Sequence, residues 1–125
     1  MNKINPTTCV ATSNLKIDIP DNQGRNIVLY FYPKDDTPGC TIEGNDFTQL
    51  NEAFAENNTV IYGVSRDSIA SHEKFKQKFN YTIDLISDED ESLCNQFDVI
   101  KLKKLYGKEH MGIVRSTFVI SPTGD

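Results

Sequence analysis

The stretch IVLYFYPKDDTPGC, residues 27–40, joins the pattern of a buried strand directly to the start of a helix. Residues 27–32 are continuously apolar and mostly β-branched or aromatic, which predicts a strand buried on both faces of a sheet. Pro33 ends that strand, and Thr37 followed by Pro38 predicts the N-cap and the first residue of a helix. A buried strand that leads into a helix indicates a layered α/β domain.

Strand and helix patterns alternate along the rest of the chain, as in a fold whose helices cover a central sheet. Residues 1–14 are rich in Asn, Thr and Pro and are expected to be irregular. The predicted strands are 15–19, 27–32, 59–65, 83–87 and 113–121, and the predicted helices begin near Thr37, Asp67 and Ser87. The helix after Thr37 has an inward stripe at three- and four-residue spacings, formed by Cys40, Glu43, Phe47, Leu50 and Phe54.

Composition limits the size, partners and location of the protein. With 125 residues, the chain is long enough for one domain. Its net charge of −5 argues against nucleic acid or an anionic membrane surface as the main partner, since phosphate binding needs clustered Lys and Arg. The longest apolar run, residues 27–32, is far shorter than the ~20 residues of a membrane helix. Residues 1–16 lack the apolar segment of a signal peptide, so we expect a cytoplasmic location.

The three cysteines, Cys9, Cys40 and Cys94, form no Cys-x-x-Cys pair. Their spacing excludes a thioredoxin-type dithiol and gives no indication of a zinc site. An odd number of thiols without a signal sequence favours reduced cysteines, one of which is a candidate for reactivity.

Cys40 is the strongest candidate for a reactive side chain. It follows the predicted N-cap by three residues, where backbone N–H groups have no partner within the helix and the helix dipole is positive. A thiolate accepts hydrogen bonds from these groups, which stabilises its charged form. The Thr37 hydroxyl can reach the same pocket, and Gly39 leaves room for a small ligand. The alternative is an inert cysteine packed beneath a strand, the commoner state of an intracellular cysteine.

The spacing Pro33-x-x-x-Thr37-x-x-Cys40, followed by Glu43, resembles the active-site motif of the peroxiredoxins. The longer stretch FYPKDDTPGCT, residues 31–41, is similar to the bacterioferritin comigratory protein, or peroxiredoxin Q, subfamily. The resemblance covers roughly residues 25–125 and continues through the segments 63–65, 71–75, 85–88 and 112–118.

The resemblance implies a thioredoxin-like fold and a thiol peroxidase that reduces hydrogen peroxide and organic hydroperoxides. By position, Cys40 is the nucleophile that becomes a sulfenic acid, and Thr37 hydrogen-bonds the thiolate and the peroxide. Arg115, on the last predicted strand, stabilises the thiolate and the developing charge. Pro33 screens the pocket, and Glu43 orients Arg115. The resemblance implies no cofactor or metal; the expected reductant is thioredoxin, glutaredoxin or a small thiol, and we expect a monomer.

The sequence departs from the subfamily at the resolving cysteine. Many members carry it five residues after the nucleophile, where this chain has Asn45, and others carry it in the helix at 68–79, which holds none. Cys94 is expected on a helix across the sheet, and Cys9 in a mobile polar segment. We therefore expect one-cysteine behaviour, in which an external thiol reduces the Cys40 sulfenic acid.

The second departure is at the C-terminal end. Members of the subfamily continue with a strand and a long helix after the Pro-x-Gly turn at 122–125. Residues 1–125 are thus expected to form a single, C-terminally shortened thioredoxin-like domain. The strand that carries Arg115 would then be an exposed edge of the sheet.

From the residues alone, a catalytically silent thioredoxin-like binding module with an inert Cys40 remains an alternative. Peroxide consumption that disappears in Cys40→Ser would separate the two functions. His72, on the inward stripe of the second predicted helix, is expected to be a structural histidine, because a thiolate nucleophile needs no catalytic base.

Overall fold

A mixed sheet of six strands organises the chain in the computed structural model, which describes residues 6–21, 24–105 and 108–122, without the side chains of 103–111. The elements in chain order are β1 (Thr7–Ala11), β2 (Leu15–Ile19), β3 (Asn26–Phe31), α1 (Pro38–Glu56), β4 (Thr59–Ser65), α2 (Ile69–Phe79), β5 (Asp84–Ser87), α3 (Ser92–Gln96), β6 (Ile100–Leu105), β7 (Lys108–Ile113) and β8 (Ser116–Ile120).

The sheet has the strand order β2-β1-β5-β4-β3-β8. Strands β3, β4 and β5 are parallel neighbours at its centre, whereas β1 pairs antiparallel with β2 and β5, and β8 pairs antiparallel with β3. Strands β6 and β7 form a separate antiparallel ribbon. The prediction of a mixed central sheet flanked by helices is confirmed, and β8, which follows Arg115, lies at one end of the described sheet.

Alternate residues of β3 face opposite sides of the sheet and pack into two separate cores. Val28, Tyr30 and the following Tyr32 pack with Cys40 of α1 and Phe75 of α2. We call this side the Cys40 face.

On the other side, Ile27, Leu29 and Phe31 of β3 pack with Cys94 of α3 and Cys9 of β1. We call this side the Cys94 face. The expectation that Cys94 lies across the sheet from Cys40 is therefore confirmed.

The irregular start predicted for residues 1–14 is wrong where the structure describes it. Thr7–Ala11 forms β1 and pairs with β2, so that Thr7 lies opposite Ile19. The two strands are joined through Ser13 and Asn14, which both have positive φ angles of 62° and 58°. Side chains at alternate positions of β1 are buried, so this short strand has the period of two that a half-buried strand shows.

The C-terminal half also departs from the predicted element bounds. The strand predicted over 113–121 is two strands, because Val114 and Arg115 connect β7 to β8. The helix predicted to begin at Ser87 begins at Ser92, since Glu91 has a φ of 63°, outside the helical region. The remainder of the predicted turn at 122–125, beyond Pro122, lies outside the described residues.

Helix α1 buries a slightly different face from the predicted stripe. Cys40 and Gly44 are buried, whereas Leu50 is 49% exposed, so its predicted inward position is wrong. At about 100° per residue, Leu50 lies roughly 80° around the helix from Cys40, and Gly44 only about 40°. The Tyr81 ring occupies the space that a Cβ at Gly44 would need. Among the helices of the described residues, none is long and apolar enough to cross a membrane.

Candidate active site

The loop after β3 places Cys40 in the first turn of α1. Thr37 has the extended backbone of an N-cap, with φ −109° and ψ 152°, and Pro38 occupies the first helical position. The first hydrogen bond of the helix runs from the Thr41 N–H to the Thr37 carbonyl oxygen, at 2.9 Å. Cys40 is the third helical residue, as predicted, and its side chain is buried. Its thiol thus lies at the positive end of the helix dipole.

Arg115 links this thiol to a carboxylate. Its Nη2 donates to the Cys40 Sγ at 3.0 Å, and its Nη1 donates to the Glu43 Oε1 at 3.2 Å. A guanidinium beside a sulfur stabilises negative charge on it. The structure therefore brings together three of the five predicted site residues.

Gly39 makes the approach of Arg115 possible. A Cβ at this position would lie 2.8 Å from the Arg115 Nη2 and 3.3 Å from its Cζ. Any larger residue would have to displace the guanidinium. The space expected for a small ligand at Gly39 is thus occupied, at least in part, by the arginine.

Glu43 is half-buried on the same helix turn. Partial burial raises the pKa of its carboxyl from the ordinary value, and the neighbouring Arg115 guanidinium opposes that rise. Because the carboxylate is only partly solvated, its ion pair with Arg115 offsets the cost of keeping it charged.

Thr37 and Pro33 lie in the loop at the edge of this cluster. The Thr37 hydroxyl donates to the carbonyl oxygen of Lys34 at 2.9 Å, so in this arrangement it braces the loop. Rotation about its Cα–Cβ bond would redirect the hydroxyl, which keeps both donor and acceptor capacity. Pro33 is partly buried at the start of the loop.

A groove runs beside the cluster. It has a volume of about 380 Å³ and an opening to solvent. It combines apolar side chains with the charged pair described above, and its lining residues are Gly39, Ile42, Glu43, Asp46, Phe47, Leu50 and Arg115. Leu50, exposed on α1, contributes to this lining.

The two other thiols have a different environment. Burial, followed by the Asp88 carboxylate, raises the pKa of Cys9 to about 12. The same two causes raise the pKa of Cys94 well above its ordinary range. Cys9 lies in β1 and not in a mobile segment, because that strand pairs on both sides. Both thiols are therefore held in the neutral form on the Cys94 face.

The sequence gives no signal for Asp35, whereas it predicts a structural role for His72. Asp35, in the middle of the loop, is buried against Tyr32 and His72. His72 has hydrogen-bond partners at both ring nitrogens, as expected of a structural histidine. Asp35 and His72 are 37 positions apart, and no local motif connects them.

Sequence comparison places the chain among known proteins. The AhpC/TSA family matches residues 3–125. The chain is 54% identical to Peroxiredoxin Bcp of Xanthomonas campestris over 101 residues, which are 81% of this chain and 63% of that protein. It is also 54% identical to Peroxiredoxin Bcp of Bacillus subtilis over 108 residues, 86% of this chain and 69% of that protein.

Solved structures give the same result for the fold. The bacterioferritin comigratory protein of Xanthomonas campestris, whose structures concern alkyl peroxide reduction, superposes with a TM-score of 0.87 at 46% identity, covering 94% of this chain and 75% of that one. A mutant of Xylella fastidiosa PrxQ superposes with a TM-score of 0.89 at 40% identity, covering 99% and 81%. The thioredoxin-like peroxiredoxin fold expected from the sequence is confirmed. The chain belongs to the AhpC/TSA family and, within it, to the Bcp or peroxiredoxin Q group of peroxiredoxins.

Proposed function

We propose that this protein is a thiol-dependent peroxidase that reduces hydrogen peroxide and organic hydroperoxides at Cys40. The observation that carries the proposal is the 3.0 Å contact from Arg115 Nη2 to the Cys40 Sγ at the first turn of α1. A cation and a helix N-terminus at one sulfur are the two features that favour a nucleophilic thiolate. Membership of the peroxiredoxin family supports this function over a catalytically silent binding module.

The proposed reaction is a displacement at oxygen. The Cys40 thiolate attacks one peroxide oxygen, so that an S–O bond forms while the O–O bond breaks. The leaving hydroxide or alkoxide takes a proton from solvent and departs as water or an alcohol. Cys40 is oxidised by two electrons to a sulfenic acid, and the peroxide is reduced by two.

Each remaining site residue has a role in that step. Arg115 stabilises the thiolate and the negative charge that develops on the leaving oxygen. Glu43 orients Arg115 through the 3.2 Å ion pair. The Thr37 hydroxyl hydrogen-bonds the peroxide after rotating away from Lys34, and Pro33 screens the pocket from water.

The groove beside the cluster supports organic hydroperoxides as substrates. Ile42, Phe47 and Leu50 supply apolar surface next to Arg115. A short alkyl chain would rest on these side chains while its hydroperoxide group turned toward the sulfur. Apolar contact of this kind contributes about 25 cal/mol for each Å² removed from water.

Turnover requires a thiol from outside the chain. Cys9 and Cys94 pack on the opposite face of the sheet from Cys40. A disulfide needs Cα atoms within roughly 7 Å, and the sheet layer separates these residues. One external thiol therefore forms a mixed disulfide with Cys40 and releases water, and a second thiol restores the Cys40 thiol. Thioredoxin, glutaredoxin or a small thiol acts as reductant, and the protein works as a monomer in the cytoplasm.

Peroxide consumption by the reduced protein tests the activity. Consumption is expected to stop in Cys40→Ser and to continue in Cys94→Ala, the matched control that removes a thiol from the other face. Equal peroxide loss in Cys40→Ser and wild type would end the proposal and favour the silent module.

Mass spectrometry after one equivalent of peroxide tests the one-cysteine route. The Cys40 peptide is expected to gain one oxygen. A loss of two hydrogens with a Cys40–Cys94 or Cys9–Cys40 cross-link would refute the route and identify the resolving cysteine.

A further inference from the structure

A buried carboxylate anchors the active-site loop from below. Asp35 is only 7% exposed. It accepts hydrogen bonds from the Tyr32 hydroxyl at 2.5 Å and the Ser71 hydroxyl at 2.8 Å, and its Oδ2 lies 2.7 Å from Nδ1 of His72. Its own N–H donates to the Asp67 carboxylate at 2.9 Å. These contacts tie the middle of the loop to α2 and to the segment that follows β4.

The His72 ring connects this anchor to β5. Its Nε2 lies 2.9 Å from the carbonyl oxygen of Ile86 and therefore carries a proton. The Asp35 Oδ2 lies 2.7 Å from Nδ1 and also accepts from the Ser71 hydroxyl. The ring is thus hydrogen-bonded to the loop through Nδ1 and to the sheet through Nε2. The ring is fully buried, so its bond to Asp35 is shielded from solvent.

The position of Asp35 is transmitted to the reacting centre through a short, constrained segment. Asp35 precedes Cys40 by five residues. Asp36 has a positive φ of 55°, and the Thr37 carbonyl accepts the first hydrogen bond of α1 from Thr41. A shift of Asp35 would therefore move the Thr37 side chain relative to the thiol.

We propose that His72 is a positioning residue for the peroxide reaction, because its Nδ1 hydrogen bond with Asp35 holds the loop at 33–37 in a fixed position relative to Cys40. This inference rests on the proposed function of Cys40. The bond from His72 to Ile86 serves the stability of the fold and not the reaction. The geometry assigns the two ring nitrogens different tasks, and the tasks are separable by mutation.

Two substitutions of His72 separate the nitrogens. The amide nitrogen of His72→Asn occupies the place of Nδ1 and keeps a donor toward Asp35, whereas that of His72→Gln occupies the place of Nε2 and keeps a donor toward Ile86. The second-order rate constant with hydrogen peroxide, per folded molecule, is expected to fall about ten- to hundredfold in His72→Gln. It is expected to stay within about threefold of wild type in His72→Asn.

A second reagent distinguishes positioning from a general loss of structure. Iodoacetamide alkylation of Cys40 needs only an accessible thiolate, so its rate is expected to change by less than about threefold in both variants. The ratio of the peroxide rate to the alkylation rate is the diagnostic quantity. A merely structural role of His72 would lower stability and leave that ratio unchanged.

Thr12→Val is the matched control for losing a buried hydrogen bond. The Thr12 hydroxyl is buried and bonds to Leu85 and Asp84 at the other end of β5, at 3.0 and 2.8 Å. This variant is expected to lower Tm without changing the peroxide rate per folded molecule. Ser71→Ala removes only one donor to Asp35 and is expected to slow the reaction about threefold, which tests the proposal if the His72 variants do not fold.

The outcomes are distinct. An unchanged rate ratio in His72→Gln, a slower His72→Asn than His72→Gln, or an unchanged Ser71→Ala would overturn the proposal. A wild-type protein that consumes no peroxide would instead overturn the proposed function of Cys40.

Discussion

On the Cys40 face of the sheet, a guanidinium and the first turn of a helix lie next to the Cys40 thiol. On the Cys94 face, a carboxylate lies beside the Cys94 thiol instead. Cys40 and Cys94 are 1% and 0% exposed, so burial does not distinguish them. Arg115 contacts the first sulfur. Burial and then Asp88 raise the pKa of the second. The charge next to a buried cysteine, more than its burial, decides whether its thiol can act as a nucleophile.

The largest expected effect comes from removing the cation that makes the two faces different. Arg115→Ala should lower the second-order rate constant with hydrogen peroxide by about 10²–10³, because a fixed donor to a developing anion contributes that much in other enzymes. Stopped-flow peroxide kinetics measure it. Arg66→Ala, which removes an arginine paired with Glu91 elsewhere, is the control and should leave the rate constant unchanged. If Arg115→Ala lowered the rate constant by less than about fivefold, the Arg115 cation would not be what makes the Cys40 face differ from the Cys94 face.

The second largest expected effect is the difference in alkylation rate between Cys40 and the two cysteines of the Cys94 face. In the native protein at pH 8, iodoacetamide should modify Cys40 at least about a hundredfold faster than Cys9 or Cys94, because only the thiolate reacts. Mass spectrometry of peptides at successive times gives the three rates. In urea, the three cysteines should react at similar rates, since the folded environment is then lost. Comparable native rates would show that the two faces do not differ in thiol reactivity.

The Cys94 face should also set a limit on alkaline stability. The pKa of Cys9 is raised to about 12, so the folded protein keeps a proton that the unfolded chain releases above about pH 9. The contribution of this thiol to the free energy of unfolding should therefore be constant below about pH 9 and fall as pH rises toward 12, by about 2 kcal/mol at pH 10.5. Urea denaturation under reducing conditions measures the slope. Cys9→Ala should make the slope shallower, while the part due to Cys94, whose pKa is also raised, remains. An equally steep slope in that variant would be inconsistent with the assignment.

The smallest expected effect concerns the partner of Arg115. Glu43→Gln should slow peroxide reduction only several-fold at pH 7, because the amide still accepts a hydrogen bond from the guanidinium. Burial raises the pKa of Glu43, so in wild type its protonation should weaken the Arg115 contact at pH values above the usual carboxyl range. The wild-type rate should consequently fall more steeply on acidification than the Glu43→Gln rate. Parallel pH profiles for the two proteins would argue against an orienting role.

Much of the Cys40 face could be predicted because its signals are local. The apolar run at 27–32 and the Thr37-Pro38 pair define a strand and a helix start within a few residues, and the structure has both. Placement of Cys40 in the first helical turn follows from the same residues. The position of Arg115 came from family resemblance, since nothing near it in sequence indicates a thiol.

The parts that were missed depend on tertiary contacts. Short β1 has the period of a strand, but its pairing with β2 required a turn with two left-handed residues, which Ser13 and Asn14 provide without a glycine. The apolar spacing of α1 predicts an inward Leu50, but the helix buries Gly44 beside Cys40 and leaves Leu50 exposed. The Asp35–His72 contact joins a loop to a helix 37 residues later, and only the folded chain brings them together.

The contact between Cys40 and Arg115 spans 75 positions of the chain. Contacts of such long sequence separation form late in folding, because the loop between them must close first. During synthesis, the cysteine leaves the ribosome well before the arginine that contacts it. Until that contact forms, the nascent thiol lacks its neighbouring cation, so under the proposed function its reactivity toward peroxide would report that the segment carrying Arg115 has docked.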